Sequence, residues 1–589
     1  MFHRIILKRL AFFVVLIVSL PVLAQSGSDR FQLNQTGFYP TAPKRAIVTG
    51  KTSATKFYVV NAKTKNTVFT GTLSSEKKSA NSSTYTRIAD FTALQTSGTF
   101  YITMPDGETS YLFQIQNHVH RSVALAALKG FYFIRSDMPL DAAFAGPWQR
   151  PAGHPDTAVY VHSSAADAQR PESTVISTPG GWYDAGDYNK YIVNSGITMG
   201  TLLSAYEDFK NYFDTLHTNI PESGDAVPDL LNEAIYNLRW MLTMQDGDGG
   251  VYHKCTNAAF DGMVMPGVTK LPRYVVQKST AATLDFAAVA AQAARVLRTF
   301  KNILPCLADS CINASERAWQ WAVQHPAILY NQKELNQKFD PDITTGDYGD
   351  GKLADEWFWA ASEIFITTKK QTYFDTVAHH ITDAVGLPSW SDVGMLGYYS
   401  LLRFSNQLPA SAKPIVNQAK AIILKLSNSY ISAISSNAFA TVMGQSVHDF
   451  IWGSNAVAAN QGVLLINAYL LTKDKKYLNG ALSNLDYLLG RNATGLCFVT
   501  GCGSKSPLHP HHRPSVADGV ALPVPGLLSG GPNPGRQDGC SYAFTEPETA
   551  FSDSDCAYAS NEIAINWNAP LVYLAHAIEA LSGNFSKTK

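Results

Sequence analysis

The hydrophobic period of this chain changes once, and the change divides it into two parts. Between residues 30 and 116, short runs of β-branched and aromatic residues are separated by turn-formers such as Asn61-Ala-Lys and Pro105-Asp-Gly. The runs Arg45-Ala-Ile-Val-Thr, Lys56-Phe-Tyr-Val-Val, Thr67-Val-Phe-Thr-Gly-Thr, Thr99-Phe-Tyr-Ile-Thr and Tyr111-Leu-Phe-Gln-Ile predict strands of a small all-β sandwich. From about residue 120 the period becomes helical. Within 225–245, apolar residues fall at Leu231, Ala234, Ile235, Leu238, Met241 and Leu242, one face of a helix. The same pattern recurs at 196–213, 279–300, 313–323, 353–368, 371–384, 393–404, 411–435, 454–472, 475–489 and 561–581. About a dozen helices with few strands predict a mainly α domain of paired helices packed as a toroid; an irregular helical array is the alternative. One stretch breaks the period. Residues 501–561 are rich in Gly, Pro, Ser and Asp, and they carry His509, His511, His512, Arg513 and Asp553 just before Glu562. A structureless stretch of this length inside a compact domain is functional or disordered, and it reads as an ordered active-site wall.

With 589 residues the chain is too long for one core. Its 47 basic and 47 acidic residues leave no net charge and form no basic stripe, which argues against a nucleic-acid partner. Charged residues are 16% and aromatics 11%, a balance suited to a neutral ligand held by stacking and hydrogen bonds. At the N-terminus, His3, Arg4, Lys8 and Arg9 precede an apolar run from Ala11 to Ala24. That run is shorter than a spanning helix needs and ends on a small residue, so residues 1–24 are expected to be a signal peptide cleaved after Ala24. The mature protein is expected to be secreted or periplasmic and monomeric. Export permits disulfides among the seven cysteines. Cys306 with Cys311, Cys497 with Cys502 and Cys540 with Cys556 are plausible pairs, leaving Cys255 odd; spacing proves none of them.

Chemistry concentrates in four clusters. In Gly180-Gly-Trp-Tyr-Asp184-Ala-Gly-Asp187-Tyr-Asn-Lys-Tyr191, two carboxylates stand three residues apart among aromatic rings. Carboxylates that hold a water beside rings that stack on a sugar are what glycoside hydrolysis needs; a polar turn capped by Asp187 is the plain alternative. The second cluster is Pro510-His-His-Arg513, and the third runs from Phe551-Ser-Asp553 through Tyr558 to Glu562-Ile-Ala-Ile-Asn566-Trp567. The histidines lack helical metal-ligand spacing, so a metal site there is disfavoured and His512 is expected to pack inward. In the fourth, Thr345, Asp347 and Asp350 place three oxygen side chains around two glycines, a set that suits Ca2+. A solvated acidic turn before the Asp355-Glu356 helix start is the alternative. Trp182, Tyr183, Trp452 and Tyr558 are candidates for stacking on sugar rings, Trp452 first among them, although such rings are more often core.

At these clusters the chain resembles glycoside hydrolase family 9, the cellulase family with an (α/α)6 barrel, over roughly residues 120–583. The strand domain, 30–116, resembles the immunoglobulin-like module that precedes many of these barrels, and Leu33-Asn-Gln-Thr-Gly-Phe-Tyr-Pro40 matches its opening. The resemblance implies an inverting hydrolase of β-1,4-glucosidic bonds, an endoglucanase or cellodextrinase, with no organic cofactor. It implies Asp187 as general base, Asp184 as a second holder of the water, and Glu562 as general acid. Asp553 would orient or tune the acid, and His511 with Arg513 would contact sugar. It also implies a structural Ca2+ at the Thr345–Asp350 loop with Asp392 as a further ligand. Two details depart from the common pattern: Asn566-Trp567 follows the acid where Asp-Tyr is frequent, and Cys497 stands where a small hydroxyl or Val is usual. No carbohydrate-binding module is recognised after the barrel, so soluble or amorphous glucans are expected over crystalline cellulose. The Pro- and Gly-rich stretch from Leu522 looks like that of cellodextrinases and cellobiohydrolases. Exo-hydrolysis of glucosamine oligomers and non-catalytic glycan binding are the other two readings, and intact Asp184, Asp187 and Glu562 argue against the last.

Overall fold

The computed structural model describes residues 28–382 and 385–585; the expected signal peptide lies outside them. Eight strands come first: β1 (Phe31–Gln32), β2 (Arg45–Thr49), β3 (Lys56–Asn61), β4 (Thr67–Thr72), β5 (Lys77–Lys78), β6 (Tyr85–Asp90), β7 (Gly98–Thr103) and β8 (Phe113–Ile115). They make two four-stranded antiparallel sheets, in the orders β1-β2-β6-β5 and β4-β3-β7-β8. Alternate residues point between the sheets, where Ala46, Val48, Phe57, Val59, Phe100, Ile102 and Phe113 form one apolar core. Strand β6 was not expected. It buries Ala89 between the sheets and Thr86 on its other face, against the Ala438 carbonyl, and residues so small or polar do not mark a strand by pattern.

Twelve long helices follow among the described residues: α1 (Arg121–Phe133), α2 (Ile192–Phe213), α3 (Asp229–Thr243), α4 (Thr280–Leu297), α5 (Leu307–Gln324), α6 (Ala354–Thr368), α7 (Gln371–His380), α8 (Gly394–Arg403), α9 (Lys413–Ala433), α10 (Ser454–Thr472), α11 (Lys475–Leu488) and α12 (Ile565–Ala580). The even-numbered helices are buried on nearly every face, whereas the odd-numbered ones are mostly buried on one side. A helix buried all round must be enclosed by others. The contacts agree: α12 packs on α2, α2 on α4, α4 on α6, α6 on α8 and α10 on α12, while α9 touches both α8 and α10. Each remaining odd helix covers its even neighbour. Close approach at the centre relies on small residues, as in the Ala-rich α4.

Toward the C-terminal ends of the even helices lies a buried charged hub. Arg403 of α8 forks onto Asp208 at 2.7 Å through both Nε and Nη2, and its Nη1 reaches Glu207 at 3.1 Å. Arg295 of α4 donates to Glu207 at 2.8 Å and to Glu363 of α6 at 2.7 Å. Tyr573 of α12 donates to Asp208 at 2.6 Å, and Asn467 of α10 donates to Tyr573 at 3.4 Å. Glu207 and Asp208 belong to α2, so this one network touches all six enclosed helices.

The helical region also holds a small sheet that was not expected. Its strands are β9 (Val159–Val161), β10 (Val175–Ile176), β11 (Lys190–Tyr191), β12 (Lys254–Asn257) and β13 (Arg273–Val275), in the order β10-β9-β13-β12-β11. The sandwich docks through Leu33–Pro40. Asn34 donates to Asp486 at 2.7 Å, Gln35 accepts from the Ser504 and Lys505 amides at 2.8 Å, and Tyr39 hydrogen-bonds Glu579. Gly37 has φ +114°, and a Cβ there would lie 2.4 Å from the Gln114 carbonyl oxygen, so only glycine serves.

Of the plausible cysteine pairs, Cys540–Cys556 is bonded. Cys306, Cys311, Cys497 and Cys502 are free thiols, as is Cys255. Cys306 is exposed in a left-handed conformation just before α5, while Cys311 faces the core; five helical residues turn the two side chains about 140° apart. Cys497 turns its thiol toward the Val499 carbonyl at 3.8 Å and stays unpaired.

Replacing Arg403 with Met should destabilise the fold by about 3–5 kcal/mol, because Glu207 and Asp208 would be left buried without that guanidinium. Removing the exposed Lys476 partner of Asp474 should leave stability essentially unchanged, because solvent screens that pair. Urea unfolding of the two variants followed by circular dichroism checks the contrast.

Candidate active site

Residues 184–189 form a turn that closes on itself: the Asp184 amide donates to the Asn189 carbonyl at 3.0 Å. Strand β11 then pairs with β12, and α2 starts at Ile192. The Ile565 amide, at the start of α12, donates to the Asp184 carbonyl at 2.8 Å. The two carboxylates are therefore held between the first turns of α2 and α12. Gly186 is required by close approach, since a Cβ there would lie 2.2 Å from the His511 carbonyl oxygen. The segment around His511 pairs with Glu562 by a β-bridge. In this way the long irregular region carries the third carboxylate to the turn, and it is an ordered wall, as its composition suggested.

Asp184 is buried. Its carboxylate accepts from Asn194 at 2.8 and 3.0 Å and from Tyr348 at 2.9 Å. Burial, reinforced by the charge of Asp187, pushes its pKa up to about 8. Asp187 takes every one of its hydrogen bonds on Oδ2: from Asn189 Nδ2 at 2.5 Å, the Asn189 amide at 3.4 Å and Tyr191 at 3.3 Å. Its other oxygen is left for the pocket it lines. Glu562 keeps one edge open to that pocket. Enclosure, then Asp187 and Asp184, raise its carboxyl well above the usual range, while the Gly186 amide and Arg513 pull the other way. The pocket has a volume of about 520 Å³. Phe260, Tyr348, Trp390, Trp452 and Trp567 supply its rings, so three carboxylates share one aromatic-walled space.

The remaining expected residues divide. Trp452 lines the pocket at 41% exposure, and Tyr558 stands behind it, 5.4 Å from its ring and 5.6 Å from that of His511. The Nδ1 of His511 bonds the Asp555 carbonyl oxygen at 2.5 Å, which leaves Nε2 free of that anchor, and burial lowers its pKa. Arg513 is buried. It donates to the Gly186 carbonyl at 2.7 Å and the Asp261 carbonyl at 2.9 Å. Asp553 accepts from the Leu508 and His509 amides and from Asn561, so it holds the approach to His511. His512 packs inward, as expected. Trp182 and Tyr183 are core residues, not stacking platforms. Trp182 lies against Phe131, and the Tyr183 hydroxyl donates to the Gly153 carbonyl.

The expected calcium set does not converge. The Thr345 hydroxyl meets the Lys254 ammonium at 3.1 Å and Thr256 at 2.7 Å, a place already held by a cation. Asp347 is exposed and lines the sugar pocket. Only Asp350 and Asp392 share acidic surroundings, beside Asp355 and Glu356 at the start of α6. Another triad, Asp167, Asp246 and Asp248, lies close enough to grip an ion, but Lys278 reaches all three, at 3.3, 2.5 and 2.9 Å. Sequence reasoning missed Asn189, Asn194, Tyr348 and Lys254. The first two lie next to the aspartate turn, and only their nearness could have flagged them.

Three carboxylates sharing an aromatic pocket, with Asp184 and Glu562 biased toward their acid forms, suit a glycoside hydrolase site. Residues 120–575 match the model of glycosyl hydrolase family 9, and residues 26–109 match that of the cellulase N-terminal ig-like domain. The chain belongs to glycosyl hydrolase family 9, as its motifs suggested. It is similar to the xyloglucan-specific endo-beta-1,4-glucanase of Bacteroides ovatus, 44% identical over 558 residues and 94% of each chain. It is also similar to endoglucanase D of Acetivibrio thermocellus, 32% identical over 92% of this chain and 82% of that one. A solved family 9 structure from Bacteroides ovatus superposes with a TM-score of 0.90 at 43% identity, covering 94% of this chain and 99% of that one. The protein is a β-1,4-glucan hydrolase.

Because Asp184 keeps its proton to about pH 8 when folded but to about pH 4 when unfolded, its contribution is greatest below pH 4 and declines as pH rises toward 8. Asp184→Asn should reduce the fall in unfolding free energy over that window by on the order of 1 kcal/mol per pH unit. Urea titrations at intervals from pH 5 to 8 check this; an unchanged slope would refute the assignment.

Proposed function

We propose that the enzyme hydrolyses β-1,4-glucosidic bonds with inversion, Asp187 acting as general base, Asp184 as co-holder of the water and Glu562 as general acid. The observation that carries this is the electrostatic asymmetry of the pocket. Glu562 is driven toward its protonated form by enclosure and by two facing carboxylates, whereas Asp187 is fixed as an acceptor by three donors on one oxygen. The free oxygen of Asp187 takes a proton from water as that water attacks the anomeric carbon, while Glu562 gives its proton to the leaving oxygen. His511 and Trp452 hold the sugar; Arg513, Tyr558 and Asp553 hold the wall that presents it. Activity therefore needs Asp187 deprotonated and Glu562 protonated, which gives a bell-shaped profile whose alkaline limb belongs to Glu562.

The rim exposes Phe260, Ile451 and Trp452, an apolar lip suited to a long or branched chain, so endo-action on soluble β-1,4-glucans, xyloglucan included, is the favoured reading. Asp347 at the pocket wall supports a second one, exo-hydrolysis of glucosamine oligomers. We further infer a closed (α/α)6 barrel over 120–583 with an immunoglobulin-like domain over 30–116, export after cleavage near Ala24, and a monomeric state.

A structural Ca2+ is better sought at the start of α6 than at the expected set. Glu356 is buried with neither carboxylate oxygen partnered in the structure, and the outer oxygen of Asp350 is likewise unpartnered. Asp392 is pushed up to about 6 by burial and by Asp355 and Asp350. A hard dication drawing on Glu356 and Asp350 would relieve this crowding, although the carboxylate oxygens here do not close on one point as the Asp167, Asp246 and Asp248 oxygens do.

Glu562→Gln should lower kcat by about 10²–10⁴-fold, and proton NMR of fresh product from a β-1,4-glucan should show the α-anomer first. Early β-anomer would sink inversion. Comparing xyloglucan, carboxymethylcellulose and chitosan oligomers separates the two substrate readings. Added Ca2+ should raise the melting temperature and EDTA lower it, with both effects lost in Glu356→Gln; indifference to both reagents would refute the metal.

A further inference from the structure

The general base needs more than a carboxylate. One oxygen must face the water and stay there, and Asn189 is the residue that touches Asp187 most closely, with Nδ2 2.5 Å from Oδ2. An asparagine amide can turn over and present oxygen instead of nitrogen, which would set two acceptors against each other. Here the amide oxygen is fixed by the Asn257 amide at 2.9 Å and Arg273 Nη1 at 3.1 Å, with the Thr256 hydroxyl, whose one proton is shared with the Asn257 carbonyl, at 3.0 Å. Arg273 also donates to Asn257 Oδ1 at 2.9 Å and forks onto Asp156 at 3.0 and 3.1 Å, and Asp156 in turn pairs with Lys190 at 2.8 Å. All of these groups are buried. The amide is thus locked in one orientation by strands β12 and β13, neither of which reaches the substrate pocket at these residues.

We propose that Asn189 is a positioning residue for the base: held by Thr256, Asn257 and Arg273, it grips Oδ2 of Asp187 so that Oδ1 faces the nucleophilic water. This deepens the reading of Asp187 as base and rests on it. The unexpected five-stranded sheet acquires a purpose, since β12 and β13 are the anchor of that grip. Asp187 also faces Asp184 on its own turn, Tyr191 on β11, Lys254 on β12, Tyr348 on the 344–350 loop, His511 on the wall and Glu562 before α12. None of these groups is altered by a change at Asn189, so a shift in the base's titration reports on the grip itself.

The test uses the full chain with Asn189→Ala, Asn189→Asp and Thr256→Val. Asn189→Ala should lower kcat by roughly 10–100-fold with KM held within about twofold, as misplacement of a reacting group does. Asn189→Asp replaces the donor by a second carboxylate, and the acidic limb of its kcat/KM profile should rise by on the order of 1 pH unit. A folded Asn189→Asp with the wild-type acidic limb overturns the proposal. If that variant does not fold, Thr256→Val decides: a lower kcat at unchanged KM supports the lock, and wild-type kcat overturns it. Asp187→Asn is measured alongside. Full activity there would remove the base assignment itself, whereas an inactive Asp187→Asn with an unmoved limb in Asn189→Asp removes only the positioning role.

Discussion

Two arginines hold the centre of this molecule. Arg295 and Arg403 share Glu207 and divide Glu363 and Asp208 between them. Both lie in the last turns of their helices, α4 and α8, where a positive charge also suits the helix dipole. Polar side chains of α10 and α12 complete the network. A bundle packed only by Ala, Leu and Val could slide one turn along any of its seams. A set of buried charges that is satisfied in a single register cannot, because any slip would strand a carboxylate without its guanidinium. The hub fixes the relative height of the six enclosed helices, and everything at their other ends inherits that alignment.

At those other ends the enclosed helices present their N-termini. Asn194 lies in the first turn of α2 and Glu207 thirteen residues on, so the site and the hub stand roughly 20 Å apart along the helix. The starts of α2, α10 and α12 border the pocket, where helix dipoles favour negative charge. That field works against the desolvation that raises Asp184 and Glu562. The outcome is a graded set of carboxylates. Asp187 is anchored by donors, Asp184 is shared between Asn194 and Tyr348, and Glu562 is left with little besides enclosure and repulsion. The differences among the three carboxylates thus follow from what surrounds each group, not from the residue types, which are nearly alike.

How far all this was legible in the sequence depended on whether the relevant contact is local. Asp184, Asp187 and Glu562 stood out because a turn and a helix start are short-range features. The helices were legible because their period is long, although α1 was missed. The strands β9 to β13 were invisible because none exceeds four residues, too short for a period of two to register. Trp182 and Tyr183 misled because distant segments bury them: α1 and α3 enclose Trp182, and Gly153 with His154 holds the Tyr183 hydroxyl. Thr345 looked like an oxygen ligand until Lys254, from a distant strand, took its hydroxyl. Spacing alone could not tell that a helix begins between Cys306 and Cys311, leaving one thiol exposed and the other in the core.

The sandwich bears on catalysis through one residue. Glu579 lies at the C-terminal end of α12, the helix whose start follows Glu562. It accepts from Tyr39 of the sandwich and from the His120 amide, and it meets His118 at 3.1 Å. Asn34 at the same docking segment reaches both Asp486 after α10 and His120 before α1. The N-terminal domain therefore clamps the far end of the helix that begins beside Glu562. The hub binds the middle of that helix through Tyr573, and the aspartate turn binds its start through the Ile565 amide. A helix fixed at three points along its length cannot translate, and Glu562, three residues before it, cannot move away from the two aspartates. On this argument the immunoglobulin-like domain is part of what keeps Glu562 at its distance from Asp184 and Asp187, without contributing an atom to the pocket.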